Sequence, residues 1–281
     1  MRADVHVNLI PPFARELEVD CNLDGETDSM HRAFAHRDAP RLHKLCNPDD
    51  IIREMDATGI DVSVCFSYQW KSEERCAEAN AEMVRAVAQS DGRLKGLAVV
   101  QPCSANAPEM LERVMAEPGV IGLKLKPKWG QFSLADAEHL GPLVDIVQAR
   151  KGFILTHISQ NFHASEGDNL VDLYSFLKSF PDVNVVAAHL GAFIGVYECY
   201  KPIEQFLERL YIDISLPANI MWLPHLMRLG NPNRYIFGSD FPYLSMKDLD
   251  SQLETIGLNE RELELLRGEN AARLFAGDPP G

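Results

Sequence analysis

The chain has 281 residues, of which 46% are hydrophobic and 24% charged, with a formal net charge of −14. This is an ordinary globular balance, and the acidic total argues against non-specific nucleic-acid binding. No apolar run approaches the roughly 20 residues that span a bilayer, and Met1-Arg2-Ala3-Asp4-Val5-His6 lacks the apolar stretch of a secretory signal.

Strand-like and helix-like segments alternate from the N-terminus. The pattern predicts strands over 3–8, 60–67, 94–100, 120–126, 153–158, 183–189, 209–215 and 234–239. Each is short, rich in Val, Ile, Leu, Phe or Ala, and bounded by Gly, Pro or Asp. Such near-continuous apolar runs suit strands buried on both faces of a parallel sheet. Between them, Glu73 to Gln89 carries an apolar stripe at Ala77, Ala81, Val84 and Ala88. Ala107 to Met115 opens with Pro108, which suits a first helical turn, and 139–150, 169–180 and 202–208 also have helical patterns. Eight strands with intervening helices predict an α/β fold, a single (β/α)8 TIM barrel over 1–281. The alternative, an open doubly wound sheet, lacks a Gly-rich phosphate loop after strand one.

Two segments break this rhythm. Residues 9–48, with His31, His36 and His43, are too long for a plain βα loop and are expected to form a lid or part of the pocket wall. The tail Asp278-Pro279-Pro280-Gly281 is expected to fray. The six cysteines (21, 46, 65, 76, 103 and 199) include no CxxC pair, so the simplest account is a disulfide-free cytoplasmic protein.

Four strand-like runs end in metal-friendly side chains: His6, His157, His189 and Asp240. In a parallel barrel the C-terminal ends of all strands open onto one face, so residues far apart in sequence meet there. Three imidazoles and a carboxylate suit zinc or another divalent transition metal. Strict strand alternation would also put Asp4, His6 and Asn8 on one side of strand one. Taken singly, a strand histidine is more often a packing residue, and Asp240 also suits a strand-end cap. Of the other histidines, His163 lies close enough after strand five to line the pocket.

Ordered along the chain, these pieces resemble the amidohydrolase superfamily, in its amidohydrolase-related (amidohydrolase 2) group. The resemblance rests on Asp4-Val5-His6, Gly122-Leu123-Lys124-Leu125-Lys126-Pro127, the strand ending in His157, Ala188-His189-Leu190-Gly191, Phe237-Gly238-Ser239-Asp240-Phe241-Pro242, and Asn270-Ala271-Ala272-Arg273-Leu274-Phe275. It implies a metal at the C-terminal mouth held by His6, His157 and Asp240. His189 would be a further ligand or an unligated acid/base. It also makes Lys124 a candidate bridging lysine by analogy with binuclear members. The family's strand-one motif is Asp-x-His-x-His, and Asn8 stands where the second histidine belongs. An amide oxygen ligates borderline ions less well than imidazole, so Asn8 is a further but weak candidate donor. That substitution argues against a binuclear site and for weaker or shifted metal preference. Lys126 stands where the family often has a histidine.

The expected cofactor is one divalent ion, zinc first, with manganese or iron as alternatives. A divalent ion can lower the pKa of water from about 15.7 toward ~7. Asp240 would accept the nucleophile's proton, and His189 would polarise the scissile carbonyl. Lys126, Lys128, Trp129, Trp70, His163 and Tyr243 follow strands and are expected to face the mouth. Aromatic rings beside lysines suit a small cyclic or aromatic carboxylate. The first reading is hydrolysis of an amide, lactone or related C–N or C–O bond. The alternative is non-oxidative decarboxylation of an aromatic or unsaturated acid, for which Arg32 or Arg41 could supply a cation. A third reading, motivated by Asn8, is a metal-free lactonase-like or binding protein. A homodimer is expected from the general prevalence of two-fold assemblies.

Overall fold

The computed structural model describes residues 1–15, 44–159, 167–215 and 217–281. The expected lid over 9–48 therefore lies largely outside the described residues, with His31, Arg32, His36, Arg41 and His43. His163 lies outside them too.

Eight strands form one parallel sheet in chain order: β1 (Ala3–Asn8), β2 (Val62–Phe66), β3 (Leu94–Ala98), β4 (Val120–Leu125), β5 (Phe153–Thr156), β6 (Asn184–Ala187), β7 (Leu210–Asp213) and β8 (Tyr235–Ile236). The segment that follows β8 bonds to β1, so the barrel is nearly closed. Val5 N donates to Phe237 O at 3.0 Å, Asp240 N to His6 O at 2.8 Å and Asn8 N to Phe241 O at 2.9 Å. These bonds pair backbone groups that an open sheet edge would leave exposed.

A helical segment follows every strand. These are α1 (Pro48–Thr58), α2 (Glu73–Ala88), α3 (Ala107–Met115), α4 (Ala137–Ala149) and α5 (Leu170–Ser179), then a 3-10 stretch over His189–Cys199, α6 (Leu223–Leu229) and α7 (Met246–Leu253). Local chemistry starts them. Asn47 caps α1 by accepting from Asp50 N, with Pro48 in the first turn, and Gly59 ends it at φ 71°. Asn169 and Asp172 form a reciprocal capping box on α5.

The core has two layers, as strand alternation requires. Val5, Val64, Phe66, Leu97, Phe153, Leu155, Val186, Tyr211 and Ile236 fill the barrel. Val7, Cys65, Leu123, Leu125, Ile154, Val185 and Ile212 face the helices. Strand one departs from simple alternation, because its register with β2 slips between Asp4 and Val7. This bulge lets Val5 pack inside while His6 still reaches the mouth. Asp4 does not join the mouth. Its Oδ1 accepts from His6 N at 2.9 Å and Ser239 N at 3.0 Å, fastening β1 to the segment after β8.

Among the described residues, Cys46, Cys65 and Cys76 are buried and Cys103 is exposed. No described helix is long and apolar enough to cross a membrane.

Candidate metal centre at the barrel mouth

Alternation places the inward residues at the strand ends side by side. His6 Nε2 lies 3.2 Å from Asp240 Oδ1, and His189 Nε2 lies 3.0 Å from His157 Nδ1. One donor atom from each of His6, His189 and Asp240 falls within 4.8 Å of the others. Two ligands on a tetrahedral ion with bonds of ~2.1 Å stand about 3.4 Å apart, so this spacing suits a shared cation.

Outer partners orient the rings. His6 Nδ1 lies 2.7 Å from Asp213 Oδ2, and His189 Nδ1 lies 3.1 Å from the carbonyl oxygen of Ser215. Both partners accept, so in the neutral rings the proton sits on Nδ1 and each Nε2 offers its lone pair to the mouth. Asp213 organises this arrangement. Its Oδ1 also accepts from His189 N at 3.0 Å, Ser215 N at 3.0 Å and Ser215 Oγ at 2.5 Å. Gly238 permits the close approach: a Cβ there would lie 2.9 Å from His6 Cβ and 3.0 Å from Asp213 Cβ.

The charge balance favours a cation at the same point. Burial opposes a charged His6, yet Asp213 and Asp240 on either side draw its pKa above the ordinary imidazole value. Burial also opposes an ionised Asp240, but His6 and then His189 hold its carboxyl far below the usual range. Burial, reinforced by Lys126 and His189, pushes His157 well down, and burial lowers His189. The His157–His189 pair is therefore neutral near pH 7 while Asp240 is ionised. His189 and Asp240 both adopt left-handed backbone, at φ 59° and 61°. Non-glycine residues are held there at a cost of order 1–3 kcal/mol, and such positions concentrate at functional sites.

The sequence expectation grouped His6, His157 and Asp240, with His189 and Asn8 as further donors. All five side chains meet at the mouth. The compact group is His6, His189 and Asp240; His157 joins it through His189. Asn8 joins through its amide nitrogen, which donates to Asp240 Oδ1 at 2.8 Å and Phe241 O at 3.0 Å. Two acceptors facing that nitrogen fix the amide orientation, and Asn8 in this geometry positions the Asp240 carboxylate.

A family model described as Amidohydrolase (Amidohydro_2) matches residues 3–277. The chain belongs to the amidohydrolase family. No curated protein sequence matches it. Among solved structures it is similar to 5-carboxyvanillate decarboxylase from Sphingomonas paucimobilis, at 16% identity and TM-score 0.78, covering 98% of each chain. It is also similar to a dihydroxybenzoic acid decarboxylase from Polaromonas sp. JS666 with bound manganese, at 16% identity and TM-score 0.76, covering 98% of this chain and 97% of that one. A probable 2-pyrone-4,6-dicarboxylic acid hydrolase from Acinetobacter baumannii matches at 20% identity and TM-score 0.67, covering 98% and 99%. At these identities the likeness shows the shared barrel, and its holders include both hydrolases and decarboxylases.

The remaining expected site residues of this amidohydrolase divide by burial. Lys126 is partly buried, with Nζ 3.5 Å over the Trp129 ring and 5.8 Å from the Tyr68 ring. Trp129 packs its edge against Tyr68 at 5.0 Å, and the Tyr68 and Tyr243 hydroxyls share a close hydrogen bond. Lys128 is exposed. Trp70 does not reach the mouth. It is 0% exposed, donates its indole N–H to Ser67 Oγ at 3.2 Å and packs on Phe13 at 5.3 Å. Trp70→Ala is therefore expected to cost about 3–5 kcal/mol of stability, read by denaturant unfolding, with KM unchanged in the folded fraction.

Asp213 and Ser215 carried no functional reading in the sequence. The available signal was the run Leu210-Tyr211-Ile212-Asp213, an apolar strand ending in a carboxylate like those around it.

Lys124 is 3% exposed, with Nζ 4.6 Å over the Phe66 ring. Burial first, then Lys126, pushes its pKa from 10.5 down to about 7. The folded value lies below the unfolded one, so this group's contribution to stability rises with pH between about 7 and 10.5. Lys124→Met should therefore be more stable than the parent at pH 7, by an amount on the order of a few kcal/mol. The gap should narrow toward pH 10, as read by urea unfolding at both pH values.

Proposed function

We infer that this chain is a metal-dependent hydrolase that cleaves an amide, lactone or related C–N or C–O bond in a small, carboxylate-bearing, preferably cyclic substrate. One observation carries the reading. One donor atom each of His6, His189 and Asp240 converges at the mouth while the Nδ1 atoms of both rings are held by Asp213 and Ser215. His6, His189 and Asp240 would hold a divalent ion, with His157 adjacent; zinc suits the nitrogen-rich donors, and manganese or iron are the alternatives.

When bound, the ion supplies a Lewis acid that activates water. Asp240, ionised and held by Asn8, accepts the proton of the attacking water as its oxygen adds to the scissile carbonyl carbon. It then returns that proton to the leaving nitrogen or oxygen as the C–N or C–O bond breaks. His157, neutral and beside the carbonyl, donates toward the developing oxyanion. Lys126, on its Trp129 and Tyr68 shelf, pairs a substrate carboxylate, and Tyr243 closes that wall.

A second reading, non-oxidative decarboxylation, is supported by the His157–His189 contact, which suits proton delivery to a carbon. The test is a screen of lactones, cyclic amides and aromatic acids, scoring ring opening against CO2 release, with and without chelator. Chelator-sensitive hydrolysis without CO2 supports the first reading. CO2 release replaces it with the second, and chelator-resistant turnover removes the metal from the account.

A further inference from the structure

Lys124 and Lys126 stand two residues apart at the end of β4, so both side chains leave the same, inward side of the barrel. Two strand rises separate their origins by roughly 6.6 Å. Lys124 reaches across to Phe66 on β2, and Lys126 reaches Trp129 and Tyr68. Among the described residues, neither ammonium has a hydrogen-bond acceptor or a carboxylate within ion-pair distance. Each rests on a ring face instead.

A ring face attracts a cation but leaves the ammonium's N–H donors without a strong acceptor. An ammonium removed from water without such an acceptor is costly, and two side by side add mutual repulsion. Nothing in the packing requires this charge: Leu123 and Leu125 on the opposite face fill the core without it. The nearby Asp240 is already engaged by His6 and Asn8, and Asp213 by His6, His189 and Ser215. Among the described residues the two lysines thus lack a close carboxylate partner, an environment that suits an anionic ligand.

We propose that Lys124 and Lys126 form a two-ammonium recess that selects a small substrate carrying two carboxylates, one paired with each lysine. The inference rests on the mouth being the substrate site, and it narrows the substrate class from a carboxylate to a dicarboxylate. Lys124 holds the deeper carboxylate beside Phe66, and Lys126 holds the outer one on the Trp129 shelf.

The test is equilibrium binding of benzoate and benzene-1,3-dicarboxylate to the full chain by calorimetry, with Lys124→Met and Lys126→Met alongside. The dicarboxylate should bind the parent protein about tenfold or more tightly than benzoate. Each single variant should erase that advantage. A comparison with Lys124→Arg, which keeps the charge, guards against a packing effect: it should retain at least part of the preference that Lys124→Met loses. Circular dichroism confirms that each variant is folded. Equal binding of the two compounds, no saturable binding of the dicarboxylate at millimolar concentration, or equal loss of both compounds in each variant would overturn the proposal. The last outcome would mean that one carboxylate bridges both lysines. Neither probe has a hydrolysable bond, so failure here leaves the hydrolytic reading standing, and failure of hydrolysis leaves this binding result standing.

Discussion

Asparagine at position 240 is expected to lower kcat by roughly 10²–10⁴-fold with the fold intact. The substitution keeps the size of the side chain and one oxygen, but removes the charge and the ability to accept a proton. Asp240 is the carboxylate on which His6 and Asn8 converge, at 3.2 Å and 2.8 Å. An amide at 240 would turn one of its own N–H groups toward donors that are already there. Loss should therefore appear in kcat more than in KM, because the Lys126 shelf is untouched. A steady-state comparison on a substrate from the screen measures this. A drop smaller than tenfold would place the proton acceptor elsewhere, with the His157–His189 pair next in line.

The second large effect is expected one layer out. Asp213→Asn should weaken divalent-ion affinity about 10–100-fold, as loss of an outer-shell carboxylate does. Asp213 is 0% exposed, yet it sets both rings from behind. Its Oδ2 fixes the proton of His6 on Nδ1, and its Oδ1 anchors the backbone at His189 and Ser215. Asparagine would present an N–H to one of these donors and release a ring from its orientation. Titration of the purified variant with Zn²⁺ or Mn²⁺ reads the change directly, without a substrate. Unchanged affinity would mean that His6 and His189 keep their orientation by packing against each other and Phe66 alone.

The barrel was legible because its physics is written locally. Strands buried on both faces read as short apolar runs, such as Phe153-Ile154-Leu155-Thr156 and Val183-Asn184-Val185-Val186-Ala187. Their ends were less so: β8 spans only Tyr235–Ile236, because the chain then bends to bring Asp240 over the mouth. The ligand-like residues were legible for the same reason, since parallel strands must gather their C-terminal ends. What the sequence hid depends on register and packing. The bulge in β1 turns Asp4 from the mouth into a fastener. Trp70 and Trp129 look alike in sequence, yet one is sealed behind Ser67 and Phe13 and the other carries Lys126. Asp213 ends its strand like the others, but nothing in its neighbours announces that it organises two histidines. Asn8 likewise reads as a lost ligand until its amide is seen holding Asp240.

Elemental analysis decides whether His6, His189 and Asp240 hold one divalent ion. The chain would be purified without affinity tag or chelator, beside His6→Ala and His189→Ala. About one equivalent of zinc, manganese or iron per chain is expected, lost in both variants, with both still folded by circular dichroism. Full metal content in either variant would contradict the ligand assignment. No metal in the parent protein, even after reconstitution, would contradict the metal centre itself.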